Sequence, residues 1–147
     1  MSDGTTLLQG GCLCGAVRYQ IRRKIHFVVQ CFCRDCQKAT GTGHTTIVGV
    51  EAQDLITTGQ PATYTSAGDT GGRVTRHFCA QCASRLYTSG DLPGAIRMVQ
   101  AGTLDSPAAV TPTSAIYLKD RIPWDLVDPT LEHFQAMPEK ISASRPT

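Results

Sequence analysis

Residues 31–36 read CFCRDC, which places three thiols in one short segment. The remaining four cysteines lie to either side as two pairs, CLC at residues 12–14 and CAQC at residues 79–82. Zinc prefers four tetrahedral ligands, and one tight turn can present two sulfurs to the same ion when one or two residues separate them. The two pairs together therefore predict a closed four-thiolate zinc site that ties the N-terminal strand to a distant turn.

The triad of Cys31, Cys33 and Cys36 is left as a three-thiolate site with one free coordination position. Zinc bound by three thiolates carries a formal charge of −1, so it is a weaker Lewis acid than zinc bound by three neutral imidazoles. This disfavours activation of water for hydrolysis. A sulfur-rich site instead favours coordination of another thiol, which then loses its proton. We therefore expect the chemistry at the triad, with a thiol or thiol adduct as ligand.

Three alternatives stay open when only the residues are considered. A histidine can close the triad site, and four are available: His26, His44, His77 and His133. A different pairing of the cysteine clusters would leave the other cysteines as buried apolar thiols. An iron–sulfur cluster also uses clustered thiolates, although its common ligand spacings differ from these and rank it below zinc.

Length and composition favour one compact domain. The chain has 147 residues, enough for one core, which we place at about residues 5–135, with a loose tail over residues 138–147. No apolar run approaches the length that spans a bilayer, and MSDGTTLLQGG at the N-terminus lacks the features of a signal peptide. We therefore expect a cytoplasmic protein with reduced thiols and no membrane partner.

The net charge gives no indication of a nucleic-acid partner. The formal charge of +2 is counted with neutral thiols. Seven thiolates with two zinc ions would lower it by three, to about −1. Exposed sheet edges are compatible with a homodimer.

Short runs of β-branched and aromatic residues between Gly, Pro and Asp turn signals predict a mainly β fold. A single helical turn is predicted to begin near Asp35, which is expected to cap it, and a second short helical segment is predicted at residues 130–135. Residues 66–72 are predicted to form a hairpin loop. The predicted strands are residues 16–21, 27–30, 45–50, 54–57, 62–65, 73–78, 85–87, 95–100 and 114–118.

Several basic side chains lie close to the cysteines in the sequence. Arg34 and Lys38 lie beside the triad, and Arg76 and Arg85 flank the second pair. Any of them can offset thiolate charge or bind a ligand carboxylate. His44 follows a small-residue segment after the triad. We therefore take Arg34, Lys38 and His44 as candidate residues that bind a ligand at the triad or support the site.

Three segments together resemble the glutathione-dependent formaldehyde-activating enzyme family, also called the GFA/CENP-V domain family. They are GCLCGAVRY at residues 11–19, CFCRDCQKATG at residues 31–41 and FCAQC at residues 78–82. Further matches are GTLD at residues 102–105, and IY at residues 116–117 leading into PW at residues 123–124. The resemblance covers roughly residues 5–135.

The resemblance implies an Mss4-like β-tent fold of antiparallel sheets with two zinc ions. It implies a structural zinc on Cys12, Cys14, Cys79 and Cys82, and a second, reactive zinc on Cys31, Cys33 and Cys36. It further implies a carbon–sulfur lyase reaction in which glutathione and formaldehyde combine to S-hydroxymethylglutathione, with glutathione as co-substrate. The rival interpretations are a non-catalytic zinc- or thiol-binding module and a redox sensor built on the triad.

The sequence departs from the family pattern at two positions. Ala83 stands where the second cysteine turn usually has glycine, and His44 stands where an aromatic or aliphatic residue is frequent. If residue 83 needs a positive φ, replacing Ala83 by glycine should stabilise the fold. Trp124 matches a recurrent position, and we expect it to be a packed core residue.

Overall fold

The computed structural model describes residues 6–91 and 95–138, which form eleven strands and one α-helix. Short 3-10 turns connect several of these elements. None of the helices in the described ranges has the length and apolar character needed to cross a membrane. The strands are β1 (Thr6–Gly11), β2 (Arg18–Arg22), β3 (Phe27–Cys31), β4 (Thr45–Glu51), β5 (Leu55–Thr58), β6 (Ala62–Ala67), β7 (Arg73–Phe78), β8 (Arg85–Gly90), β9 (Ile96–Gln100), β10 (Ser114–Ile116) and β11 (Glu132–His133), and the helix is α1 (Arg34–Thr40).

The strands form two sheets. The smaller has the order β1-β2-β5, and the larger has the order β11-β10-β3-β4-β9-β8-β7-β6. Most neighbours are antiparallel, but β10 is parallel to both β3 and β11. The predicted mainly β fold is confirmed, and the larger sheet is mixed rather than purely antiparallel.

The main core lies where the smaller sheet packs on the larger one. Val17, Tyr19 and Ile21, in and just before β2, pack with valines of β3, β4 and β9. Each fully buried aliphatic side chain contributes about 1.5–3 kcal/mol relative to an exposed one. Burial on both sides explains the apolar character of β3 and β4, because Val28 faces this core while its neighbour Val29 belongs to a second cluster on the opposite face.

Glycines let β1 approach this core closely. A Cβ added to Gly10 would lie 2.4 Å from the Tyr19 hydroxyl, which is itself 2.7 Å from the Thr103 hydroxyl. Arg18 then joins β2 to the GTLD motif, donating to both carboxylate oxygens of Asp105 at 2.9 and 2.5 Å. The motif therefore helps to hold β1 and β2 against the core.

Nine strands lie close to their predicted positions, and residues 68–72 connect β6 to β7 as a hairpin loop. Three sequence predictions are wrong. Residues 130–135 contain the strand β11 rather than a helix, because Glu132 pairs with Ser114 and Asp128 accepts from the Thr130 amide in a turn at 2.8 Å. The helix predicted near Asp35 is present as α1, but Asp35 does not cap it: the N-cap is Cys33, and Asp35 lies in the first turn.

The third correction concerns Trp124, which is 69% exposed. It follows Pro123 in a loop after β10, outside the apolar clusters that form the core. Phe32 is an aromatic residue that does belong to the core, because it is fully buried and packs with Ala115 and Leu131. Of the predicted loose tail, only Pro138 belongs to the described residues.

Candidate metal centres and cavity

The first cysteine group joins the two sheets. Cys12 and Cys14 lie between β1 and β2, and Cys79 and Cys82 lie between β7 and β8. Their four sulfur atoms all lie within 4.8 Å of one another. The Cys12 and Cys14 sulfurs are 3.6 Å apart, and the Cys14 and Cys79 sulfurs are 3.7 Å apart. A tetrahedral zinc ion with Zn–S bonds of about 2.3 Å holds its sulfurs about 3.8 Å apart, so these residues fit zinc.

Neighbouring polar groups support the sulfurs of this group. The Val17 amide donates to the Cys12 sulfur at 3.3 Å, and the Leu13 amide donates to the Ser84 hydroxyl at 3.0 Å. That leaves the Ser84 proton free to point to the Cys82 sulfur, 3.2 Å away. Hydrogen bonding from Ser84 lowers the pKa of Cys82 to about 5. Ser84 thus favours the thiolate form of Cys82, which is the form that binds a metal, whereas the pKa of Cys14 is raised to about 11 in the protein chain alone.

The second group forms on one continuous segment. Cys31 ends β3, Cys33 caps α1 and Cys36 lies in the first helical turn. The three sulfurs lie within 4.8 Å of one another, and the Cys36 amide donates to the Cys33 sulfur at 3.2 Å. Helix α1 is positioned by Gln37, whose side-chain amide donates to the backbone oxygens of Phe32 and Asp120 at 2.8 and 2.9 Å.

Without a metal ion, the cysteines of the triad differ in how readily they lose their protons. Hydrogen bonding from Cys31, then from Cys36, lowers the pKa of Cys33 to about 3, while hydrogen bonding with Cys33 raises the pKa of Cys31. Thiolates whose sulfur atoms lie within 4.8 Å of one another repel each other, so ionisation of one disfavours ionisation of the next. Three thiolates can coexist here only when a cation offsets them, so the donor set fits a thiophilic divalent ion.

A cavity of about 310 Å³ opens beside the triad, and all three of its cysteines line it. Five basic side chains line the same cavity against three acidic ones, so the rim suits an anionic ligand. The basic residues are Arg34, Arg73, Arg76, Arg85 and Lys119, and the acidic ones are Asp35, Asp69 and Asp120.

Arg85 has the most constrained position of these cations. Its Nε and Nη1 atoms are buried and have no hydrogen-bond partner among the described residues. Burial, followed by the charge of Arg76, lowers the pKa of Arg85, whereas the charges of Cys36 and Cys33 raise it. A guanidinium remains protonated near neutrality in any case. An anionic ligand in the cavity would satisfy donors that are otherwise orphaned.

Tyr117 and Asp69 form a contact across the cavity wall. Tyr117 follows β10 with a φ of 58°, a left-handed conformation that is uncommon for a bulky residue. Its hydroxyl donates to the Asp69 carboxylate at 2.6 Å, which links the β6–β7 hairpin loop to the triad region. Burial and the Asp69 carboxylate raise the pKa of Tyr117, so its hydroxyl stays protonated near neutral pH. Sequence reasoning assigned neither residue to the site, because 48 positions separate them.

The three candidate ligand residues lie in different surroundings. Arg34 lines the cavity, whereas Lys38 is exposed and is not among the lining residues. His44 also lies outside the lining: its ring stacks on Phe32 at 4.6 Å between centroids, and its Nδ1 atom is 2.6 Å from the Asp125 carboxylate. Neither cysteine group includes a histidine within the described residues.

Comparisons with known proteins agree with this geometry. The family model described as "Glutathione-dependent formaldehyde-activating enzyme" matches residues 7–120. A protein of Halomonas elongata named "Putative glutathione-dependent formaldehyde-activating enzyme" is 34% identical over 86 residues, which cover 55% of this chain and 55% of that protein. The chain therefore aligns with about half the length of this relative. A crystal structure of a Rhodobacter sphaeroides protein has a TM-score of 0.55 at 18% identity, covers 71% of this chain and 92% of its own, and shows the fold alone.

Proposed function

We propose that this chain, which belongs to the glutathione-dependent formaldehyde-activating enzyme family, is a carbon–sulfur lyase-type enzyme acting on an adduct of glutathione with an aldehyde. The observation that carries the proposal is the location of three clustered sulfurs in the wall of a cavity with a cationic rim. S-hydroxymethylglutathione has the chemistry of such an adduct: a thiol sulfur, one carbon with a hydroxyl group, and two carboxylates.

Two zinc ions per chain are part of the proposal. The group of Cys12, Cys14, Cys79 and Cys82 would hold a structural ion, and Cys31, Cys33 and Cys36 would hold the second. Zinc bound by the triad would supply an open position in which a coordinated thiol is deprotonated near neutral pH.

The chain's own residues bind and orient the substrate. Arg85 and Arg76 lie at the cavity where they can bind a glutathione carboxylate, and the orphaned Arg85 donors gain hydrogen bonds when they do. In the forming direction, a bond joins sulfur to the aldehyde carbon, the thiol proton is released, and the aldehyde oxygen takes up a proton. Tyr117 donates its own proton to Asp69, so its Oη atom in the cavity wall can accept a hydrogen bond from the adduct hydroxyl and orient it.

The test compares the wild-type chain with the variant Cys31→Ala/Cys33→Ala/Cys36→Ala. We expect two zinc ions in the wild type and one in the variant by elemental analysis, with circular dichroism showing that both are folded. Thiols add to formaldehyde without a catalyst, so only a rate that rises with enzyme concentration counts as turnover. The control is Lys24→Ala, an exposed substitution outside the cavity lining, which should match the wild type.

The outcomes separate the proposal from its rivals. Turnover that requires the triad supports the enzyme. Zinc and glutathione binding at the triad, with no rate above the uncatalysed reaction, would show a binding module instead. Turnover that survives in the triple variant would place the chemistry elsewhere and overturn the proposal.

A further inference from the structure

One wall of the triad cavity is apolar and belongs to the larger sheet. Phe27, Val29 and Cys31 alternate along β3, so they point to the same face. Ile47 of β4 pairs with Val29, and it packs in one cluster with Val29, Cys31 and Met98 of β9. These apolar side chains line the same cavity as the triad sulfurs. The apolar wall, defined here as Phe27, Val29, Ile47 and Met98, is therefore continuous with the reactive site.

A glycine in β4 leaves room for the aromatic ring of this wall. Gly49 of β4 lies between Phe27 and Met98, because it pairs with both across the sheet. A Cβ added to Gly49 would lie 2.3 Å from the Cζ atom of Phe27, so the aromatic ring occupies the space above the glycine. The ring thus extends across β4 toward Met98. Phe27 and Met98 both remain partly exposed in the cavity, where a ligand can contact them.

An S-hydroxymethyl group does not use such a wall. It adds one carbon to the sulfur, and that carbon carries a polar hydroxyl group. The peptide part of glutathione is charged at both ends and matches the basic rim, which includes Arg76 and Arg85. The apolar wall is therefore left without a matching group in that adduct, although apolar contact is the main source of affinity in most small-molecule sites.

We propose that the substrate class is a glutathione hemithioacetal whose aldehyde-derived part is an alkyl or aryl group of several carbons, bound against the apolar wall. This inference rests on the proposed function. In the lyase direction the substrate hydroxyl loses its proton and becomes the aldehyde carbonyl. The carbon–sulfur electron pair returns to sulfur, which takes up a proton. The step needs no oxidant, reductant or further reactant.

Binding of unreactive thioethers to the zinc-loaded chain tests this without turnover. S-methyl-, S-butyl- and S-hexylglutathione would be titrated by calorimetry. All three are thioethers of the same peptide, so their contacts with the metal and the basic rim are matched. Each methylene group buried against the apolar wall should raise the affinity about fourfold. An affinity that stays flat or falls from methyl to hexyl would overturn the proposal.

Two variants locate the gain. Met98→Gln keeps the side-chain length but makes the wall polar, and we expect it to reduce the ratio of hexyl to methyl affinity by about tenfold. Ile56→Gln, on the partly exposed Ile56 of β5 outside the cavity lining, is the matched control and should keep the preference. A preference unchanged in Met98→Gln would place the alkyl chain elsewhere and contradict the inference.

Turnover of hexanal and formaldehyde adducts then separates this inference from the proposed function. Faster enzyme-dependent turnover of the hexanal adduct supports both. A chain-length preference in binding without any turnover supports the apolar subsite and overturns the lyase function. Turnover of the formaldehyde adduct alone, with no chain-length preference, supports the lyase function and overturns the inference.

Discussion

Replacing Ala83 by glycine should stabilise the protein. Ala83 follows Cys82 with a φ of 65°, and its side chain is exposed, so the substitution removes strain without removing a buried contact. The left-handed conformation costs an L-residue about 1–2 kcal/mol. Glycine also gives the unfolded chain more freedom, which offsets about 0.4–1 kcal/mol of this gain. The net stabilisation is then about 0.5–1 kcal/mol, or a rise in Tm of about 1–4 °C for a chain of this size.

The chain contains its own matched control for this prediction. Gly15 follows Cys14 in the other cysteine turn with a φ of 82°, and no atom lies within 4 Å of a Cβ added there. Gly15→Ala should therefore lower Tm by a similar amount, through backbone conformation alone. Thermal unfolding of both variants would be followed by circular dichroism at one fixed free zinc concentration, because bound metal raises Tm by mass action. An unchanged or lower Tm in Ala83→Gly, or a Gly15→Ala variant as stable as the wild type, would refute the reasoning.

Two further predictions test contacts outside the cavity. In Gly43→Ala, the added Cβ would lie 2.1 Å from the Asp125 carboxylate oxygen that contacts His44. We therefore expect the free energy of unfolding in urea to fall by about 1–3 kcal/mol, with the affinity for glutathione unchanged. A large loss of affinity at unchanged stability would show that His44 acts on the ligand. Hydrogen bonding from Arg18 lowers the pKa of Asp105 below its ordinary 3.8. The ionised carboxylate therefore stabilises the fold fully above pH 3.8, and this stabilisation is lost as the pH falls through the lowered pKa of the folded state. The urea midpoints of wild type and Asp105→Asn should differ at pH 7 and converge in acid, and a difference in midpoint that does not depend on pH would contradict this.

Much of the fold was predictable because most strands carry local signals. The strand β1 was missed because Gly10 and Gly11 at its end have low strand propensity, and their role depends on the distant Tyr19 ring. The strand β11 was missed because its partner β10 supplies the pairing from about twenty residues away. Such tertiary pairing overrides a local helical pattern.

The candidate site was predictable to a similar degree. Cysteine spacing indicated groups of four and three, and the structure brings the sulfurs together in those groups, while their roles as zinc ligands stay predictions. Spacing carried no information on the Tyr117–Asp69 contact or on the apolar wall. These features arise where separate strands and loops meet, and no short segment contains them. His44 illustrates the same limit, because its partner Asp125 lies 81 residues away.

The two cysteine groups differ in how far apart their members lie along the chain, and this difference bears on the order of assembly. The triad spans six residues, so an unfolded or nascent chain can already gather its three sulfurs around an ion. The other group needs Cys14 and Cys79, 65 positions apart, to meet, which requires the two sheets to have docked. An ion that also binds the unfolded chain contributes less to folding stability than one that binds the folded chain alone. An ion held by the triad would thus be bound early, during synthesis, whereas an ion held by the inter-sheet group would bind last and stabilise the folded state.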